Sequence, residues 1–174
     1  MKRLLFIVNV DWFFVSHRLP IALEAIESGY EVHIATTITD KLALLESNRL
    51  IVHPLNMHRN RSGVGTIISE FAEIFYIIRT VVPDIVHLVT IKPVLLGGIA
   101  AKLTGVPAVV SAVSGLGFVF VNNGLVAILR KKLISLLYRL AFGHSNQRII
   151  FQNIVDQSQL IQLAKISPHK TLLI

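Results

Sequence analysis

Five side chains within ten residues concentrate the chemistry of this sequence: Asn9, Asp11, Trp12, His17 and Arg18, all in the stretch NVDWFFVSHRLP. They place donors, an acceptor, a titratable ring and a flat stacking surface side by side, which suits recognition of a polar ligand. Ser16 is expected to cap a helix that has Pro20 in its first turn. An anion at that helix start would gain from free amides and the dipole, with Arg18 as its cation and His17 as a donor. The same residues also fit a capped helix whose His17 and Arg18 are simply exposed. Trp12, Phe13 and Phe14 in series are poorly placed as core alone. Either one of them is a platform for a ring or a lipid, or the three anchor the segment against neighbouring helices.

A second group lies in PDIVHLVTIKPVLLGG, where His87 ends an apolar run and Thr90 and Lys92 precede Pro93. Lys92 is placed for phosphate contact. His87 reads either as a ligand group or as a buried histidine bonded to backbone, and Gly97 and Gly98 read as close helix packing. In VSGLGFVF, Ser114, Gly115 and Gly117 form either an amide nest for an anion or a plain turn. The loop NMHRNRSGVG carries Arg59 and Arg61 among glycines and is expected to move and close over substrate. The seven histidines have no ligand spacing, so no metal is expected. The dinucleotide, Walker, acyl-transfer and zinc-hydrolase signatures are missing.

The elements that must position these residues alternate. Apolar, β-branched runs at 3–9, 31–36, 50–54, 84–89, 108–112, 148–152 and 171–174 read as strands. Helical patterns occupy 20–28, 40–47, 65–82, 93–104, 125–142 and 154–165. The fold class is α/β: a doubly wound, Rossmann-like parallel sheet of about six or seven strands with helices on both faces. Ligands in such folds sit beyond the carboxyl ends of the strands, which is where the loop 9–20 is expected. At 174 residues the chain reads as a single domain.

Composition narrows the partners. Hydrophobic residues make up 53% of the chain and mean hydropathy is +0.65, high for a freely soluble domain. With no cysteine, disulfides and thiolate metal sites are excluded. The stretch 103–129 is uncharged but interrupted by Pro107 and several glycines and asparagines, which argues against a membrane span. Residues 85–155 contain no acid yet carry Lys92, Lys102, Arg130, Lys131, Lys132, Arg139 and Arg148, so one side should attract anions, whether lipid, phosphate or nucleic acid. Along 125–142, Val126, Leu129, Leu133, Leu136 and Leu140 are expected to form a core stripe. Lys132, Ser135 and Arg139 share another face beside Lys131 and Tyr138. Such a helix suits an anionic membrane or a solvated surface.

With these residues in view, the chain resembles the N-terminal, acceptor-binding half of a bacterial GT-B glycosyltransferase of family 4, of the capsular, O-antigen and lipid-linked glycan type. The resemblance spans essentially the whole chain and is carried by NVDWFFVSHRLPIALEAIESGYEVHIAT, PDIVHLVTIKPVLLGGIAAKLTGVPAVVSAVSGLGFVF and RIIFQNIVDQ. It implies retaining transfer of a sugar from a nucleotide sugar, UDP-linked, to a polyprenyl-diphosphate-linked acceptor at the inner face of the cytoplasmic membrane. By residue match, the acceptor cleft would hold Asn9, Asp11, Trp12, Phe13, His17, Arg18, His87, Thr90, Lys92, Ser114, Gly115, Gly117 and Phe118, with Gln152 and Asn153 ending a strand at the same rim. Arg130, Lys131, Lys132 and Arg139 would face the membrane. The stretch SAVSG stands where many members carry a cleft histidine, so no catalytic residue is assigned. The family's donor-binding C-terminal half, which holds the nucleotide, is expected to be absent from this chain, supplied in cis or in trans, leaving the chain alone inactive. A scaffold pairing with a separate donor-binding chain is the alternative, and no nucleic acid is expected as partner.

Overall fold

The opening strand β1 (Arg3–Val10) is buried from Leu4 to Val8 on both faces, as a central parallel strand between two helical layers must be. The computed structural model describes residues 1–57, 63–114 and 125–174, with backbone alone for 125–131. After β1 come α1 (Asp11–His17), α2 (Leu19–Glu27), β2 (Glu31–Thr37), α3 (Leu42–Ser47), β3 (Ile51–Pro54), α4 (Val64–Val81) and β4 (Ile85–Val89). They are followed by α5 (Ile91–Thr104), β5 (Ala108–Val113), α6 (Leu125–Ala141), β6 (Gln147–Phe151), α7 (Ile154–Ala164), a 3-10 turn at Pro168–Lys170 and β7 (Thr171–Leu173).

The strands form one seven-stranded parallel sheet in the order β3-β2-β1-β4-β5-β6-β7. The doubly wound sheet read from the sequence is therefore the fold. Leu4, Phe6 and Val8 of β1 pack with Phe14 of α1, Ala22 of α2 and Leu45 of α3. Leu5 and Ile7 face the other way, into a core with Ile74 of α4, Val94 of α5, Tyr138 of α6 and Leu160 of α7. From β1 the chain winds outward through β2 to β3, then returns by α4 to β4 on the other flank. The crevice beyond the carboxyl ends of β1 and β4 is thus the topological switch point.

Three local expectations are corrected. The segment DWFFVSH is a helix rather than a loop. Ser16 caps nothing: its Oγ donates back to Trp12 O (2.9 Å) inside α1, and the residue preceding α2 is Arg18. Pro20 does fall in the first turn of α2, where its missing N–H needs no partner. The leucine stripe of α6 is also inverted, since Leu133, Leu136 and Leu140 are exposed while Tyr138, Ala141 and Phe142 are buried and Ile134 packs against the core. The cause lies in α5: a Cβ on Gly98 would sit 2.6 Å from Ala141 O, so the two helices approach closely at Ala141 and that side of α6 turns inward. Tyr138 accordingly leaves the basic face, and Ser135 donates to Leu163 O of α7 (2.6 Å).

Candidate functional site

Asp11 begins α1 at the carboxyl end of β1 and is fully buried. Its carboxylate accepts four hydrogen bonds, from the N–H groups of Trp12 (2.8 Å), Thr39 (2.8 Å) and Lys41 (3.0 Å) and from Thr39 Oγ1 (2.6 Å). Burial pushes its pKa up, but the bonds from Thr39, Lys41 and Trp12 outweigh that and hold it below the ordinary carboxylate range. Asp11 therefore spends its acceptors on the β2–α3 connection. It clamps α1 to the segment after β2. Thr39 and Lys41 lie about thirty positions away, and nothing in the sequence marks them as its partners.

The three aromatics divide between the two roles open to them. Phe14 is fully buried, edge-on to Phe6 at 5.3 Å. Phe13 stacks on the His17 ring at 4.2 Å and 10°. Trp12 is 44% exposed, edge-on to Phe13. A flat indole thus stands exposed in the first turn of α1, just past the carboxyl end of β1. His17 is exposed, its Nδ1 2.7 Å from Ser16 Oγ and 3.1 Å from Phe13 O.

Deeper in the crevice lies a set of polar groups without protein partners. Arg18 Nη1 donates to His17 O (3.1 Å), yet its buried Nε bonds nothing, and burial lowers the guanidinium pKa. Among the described residues no carboxylate pairs with it. His87 stacks on Phe6 at 5.0 Å and 24°, is only 8% exposed, and its Nε2 is likewise unpartnered. Burial, and then the positive charge of Arg18, bring its pKa down to about 4, so the imidazole is neutral at pH 7. It is a hydrogen-bonding group, too weak a base to carry a proton there.

Asn9 and Thr90 each follow the last registered pair of β1 and β4, Val8 and Val89, with Asn9 in the irregularity that shifts the β1–β2 register. Both Asn9 Oδ1 and Thr90 Oγ1 are buried without partners. Thr90 holds φ +74° and ψ 163°, a region essentially reserved for glycine. It precedes α5 without capping it, leaving the first amides of that helix free of a side-chain cap. Thr36, level with Val8 on β2, adds another buried and unpartnered hydroxyl; sequence reading missed it because a threonine in an apolar strand looks like core.

Other expected members stand differently. Lys92 Nζ donates to both carboxylate oxygens of buried Glu70 on α4 (2.9 and 3.0 Å), so its charge is paired within the protein. Ser114 is half-buried just beyond β5, at the same end of the sheet. Gly115, Gly117, Phe118, Arg59 and Arg61 lie outside the described residues, as do the side chains of Arg130 and Lys131. Lys132 and Arg139 are exposed on α6. Asn153 caps α7, accepting from Asp156 N (2.8 Å). Among the described residues no group of three His, Asp or Glu side chains is arranged to hold a metal ion.

These unpartnered polar groups lie at the switch point of a doubly wound α/β sheet, the end at which such folds take their ligands. The glycosyl transferase 4-like family model matches residues 3–153, and the chain belongs to that family. No curated protein sequence matches it. Among solved structures it is similar to a glycosyltransferase from Rickettsia africae ESF-5 (TM-score 0.68, 16% identity, 99% of this chain and 42% of that one). It is also similar to Anabaena Alr3699/HepE in complex with UDP and glucose (TM-score 0.61, 16% identity, 100% and 44%). The UDP-GlcNAc 2-epimerase of Methanocaldococcus jannaschii is comparably similar (TM-score 0.62, 15% identity, 99% and 45%). The chain spans less than half the length of these proteins, and its sheet is that of the N-terminal half of the GT-B fold.

Proposed function

We propose that this chain is the acceptor-binding half of a retaining glycosyltransferase that moves a sugar from a UDP-linked donor to a polyprenyl-diphosphate-linked acceptor. The observation that carries the reading is the carboxyl end of β1 and β4, where Arg18 Nε, His87 Nε2, Asn9 Oδ1 and Thr90 Oγ1 are buried without protein partners, with the exposed Trp12 in the helix that follows β1. An unopposed guanidinium and free helix amides suit a diphosphate, the neutral imidazole and the hydroxyl suit sugar hydroxyls, and the indole suits a ring or the first isoprene units. Family membership and the UDP and glucose of the Anabaena structure support a nucleotide sugar as donor. That donor would bind a C-terminal half, in cis or as a separate chain, and the chain alone would be inactive.

The lipid-linked acceptor places the protein at the cytoplasmic face of a membrane, touched through the basic side that carries Arg130, Lys131, Lys132 and Arg139. Trp12 is the sole tryptophan, so its fluorescence reports on the crevice directly. Titration with farnesyl diphosphate should give a saturable change that Arg18→Gln weakens roughly tenfold, the loss of about one charge-assisted hydrogen bond. UDP alone should give none. Equal response to UDP and farnesyl diphosphate, or an Arg18→Gln titration identical to wild type, would overturn the reading.

A further inference from the structure

Towards the β3 edge of the sheet, four side chains form an unbroken hydrogen-bonded line across β1, β2 and β3. Arg3 Nε donates to Glu31 Oε1 (2.9 Å), the same oxygen lies 2.9 Å from His33 Nε2, and His33 Nδ1 lies 2.9 Å from His53 Nε2. The register places the rings on one face: His33 is level with Leu5 and Ile51, and His53 with Ala35. Leu5 and Ala35 belong to the core that holds Ile74 and Ile78 of α4, so α4 covers this face. His33 is only 7% exposed, and the two rings stack at 5.2 Å and 23°. The elements packed around them bring further charges. On α4 Glu73 accepts from Asn56 N (3.1 Å), Glu70 is paired with Lys92, and Tyr76 and Arg79 are exposed; the exposed Arg49 precedes β3.

Connectivity fixes how many protons this line accepts. A carboxylate only accepts, so His33 Nε2 keeps its proton for Glu31. In the neutral pair His53 Nε2 then donates to His33 Nδ1, and after one protonation His33 donates to His53 instead. A second proton would set two N–H groups against each other at 2.9 Å, and the contact has to break. We propose that His33 and His53 form a proton-counting latch, which holds edge strand β3 to β2 while the pair carries one positive charge or none and releases it when the second charge arrives. The half-buried His53 is the ring that turns out to solvent. β3 is four residues long and has a neighbouring strand on one side only, so few backbone bonds back up the link. Burial, and then the charge of His33, lower the pKa of His53 from 6.5. The closed latch therefore contributes fully above 6.5 and is lost as pH falls below it. Just past β3, Leu55 N donates to Thr36 O (2.9 Å) and Met57 N to Thr37 Oγ1 (3.0 Å). Release thus loosens the end of β2 that carries the unpartnered Thr36 hydroxyl, beside the ligand end of the sheet.

Hydrogen exchange of the β3 amides, compared between neutral and mildly acidic pH and corrected for the intrinsic rate at each, tests the latch on the wild-type chain. On acidification the protection of β3 should fall about tenfold more than that of the central strand β4, the change expected when the second proton binds about tenfold less tightly than to a free imidazole. His53→Gln leaves one titratable ring and an amide that donates to or accepts from His33 Nδ1, so its β3 should stay protected in acid. His33→Gln removes the conflict from the other side and should do the same, so either variant suffices if the other fails to fold, which circular dichroism decides. Side-chain NMR of the wild type should show the two rings titrating in separate steps. Equal loss of protection in β3 and β4, a shared ordinary midpoint for both rings, or a folded glutamine variant that loses β3 protection as wild type does would overturn the proposal.

Discussion

Arg18 faces His87 at the switch point of the sheet, a cation and a neutral imidazole each with a buried nitrogen that no protein group satisfies. A half-buried guanidinium beside a buried neutral imidazole, each with an unpartnered nitrogen, is a costly arrangement for a core. At a binding crevice it is preorganisation for an anion.

The pair makes stability depend on pH in a defined window. His87 has its pKa lowered from 6.5 to about 4, so between those values the unfolded chain binds a proton that the folded chain refuses. Stability therefore falls as pH drops from 6.5 towards 4, by roughly 3 kcal/mol at the acid end, and is unaffected by this group above 6.5. Urea melts of wild type and His87→Gln across pH 4 to 7 check this. The variant should lose that part of the slope, and identical slopes would show that His87 titrates normally.

Thr90 stores backbone strain. Glycine accepts φ +74° at no steric cost, so Thr90→Gly should stabilise the fold by about 1 kcal/mol despite the lost side chain. The same change should weaken farnesyl diphosphate binding, because the hydroxyl at the crevice is gone. Chemical denaturation and the Trp12 titration measure the two effects independently; a destabilised variant would mean that Thr90 is not strained.

The close approach of α5 to α6 is tested by two alanines. Gly98→Ala sets a Cβ 2.6 Å from the backbone oxygen of Ala141 and should cost about 2 kcal/mol or more. Gly65→Ala in the first turn of α4 meets nothing within 4 Å and should be neutral or stabilising by up to about 1 kcal/mol. Thermal melts of both variants decide the matter. Similar melting temperatures would deny the contact.

What could be read from the sequence followed from periodicity. Apolar runs such as LLFIV and IVHLV mark strands buried on both faces; Gly105 marks a helix end because it takes the left-handed cap, and Pro83 because its ring and missing N–H cannot continue a helix. The short helix α1 was hidden because NVDWFFVSH combines loop-like polar residues with aromatics. Its stability comes from Asp11 reaching Thr39 and Lys41, a contact between distant segments.

The sequence by itself determined the parallel α/β sheet, the end of it where Asn9, Arg18, His87 and Thr90 collect, and the excess of positive charge between residues 85 and 155. These depend on local pattern and on chain order. Tertiary structure alone decided that Asp11 is a clamp, that Glu70 neutralises Lys92, that Trp12 and not Phe14 faces outward, and that the leucines of α6 point away from the core. Each of those outcomes depends on which surface of an element meets a neighbour. A helix with apolar residues on two sides can bury either, and contacts such as the close approach of Gly98 to Ala141 and the bond from Ser135 to Leu163 O accompany the one chosen.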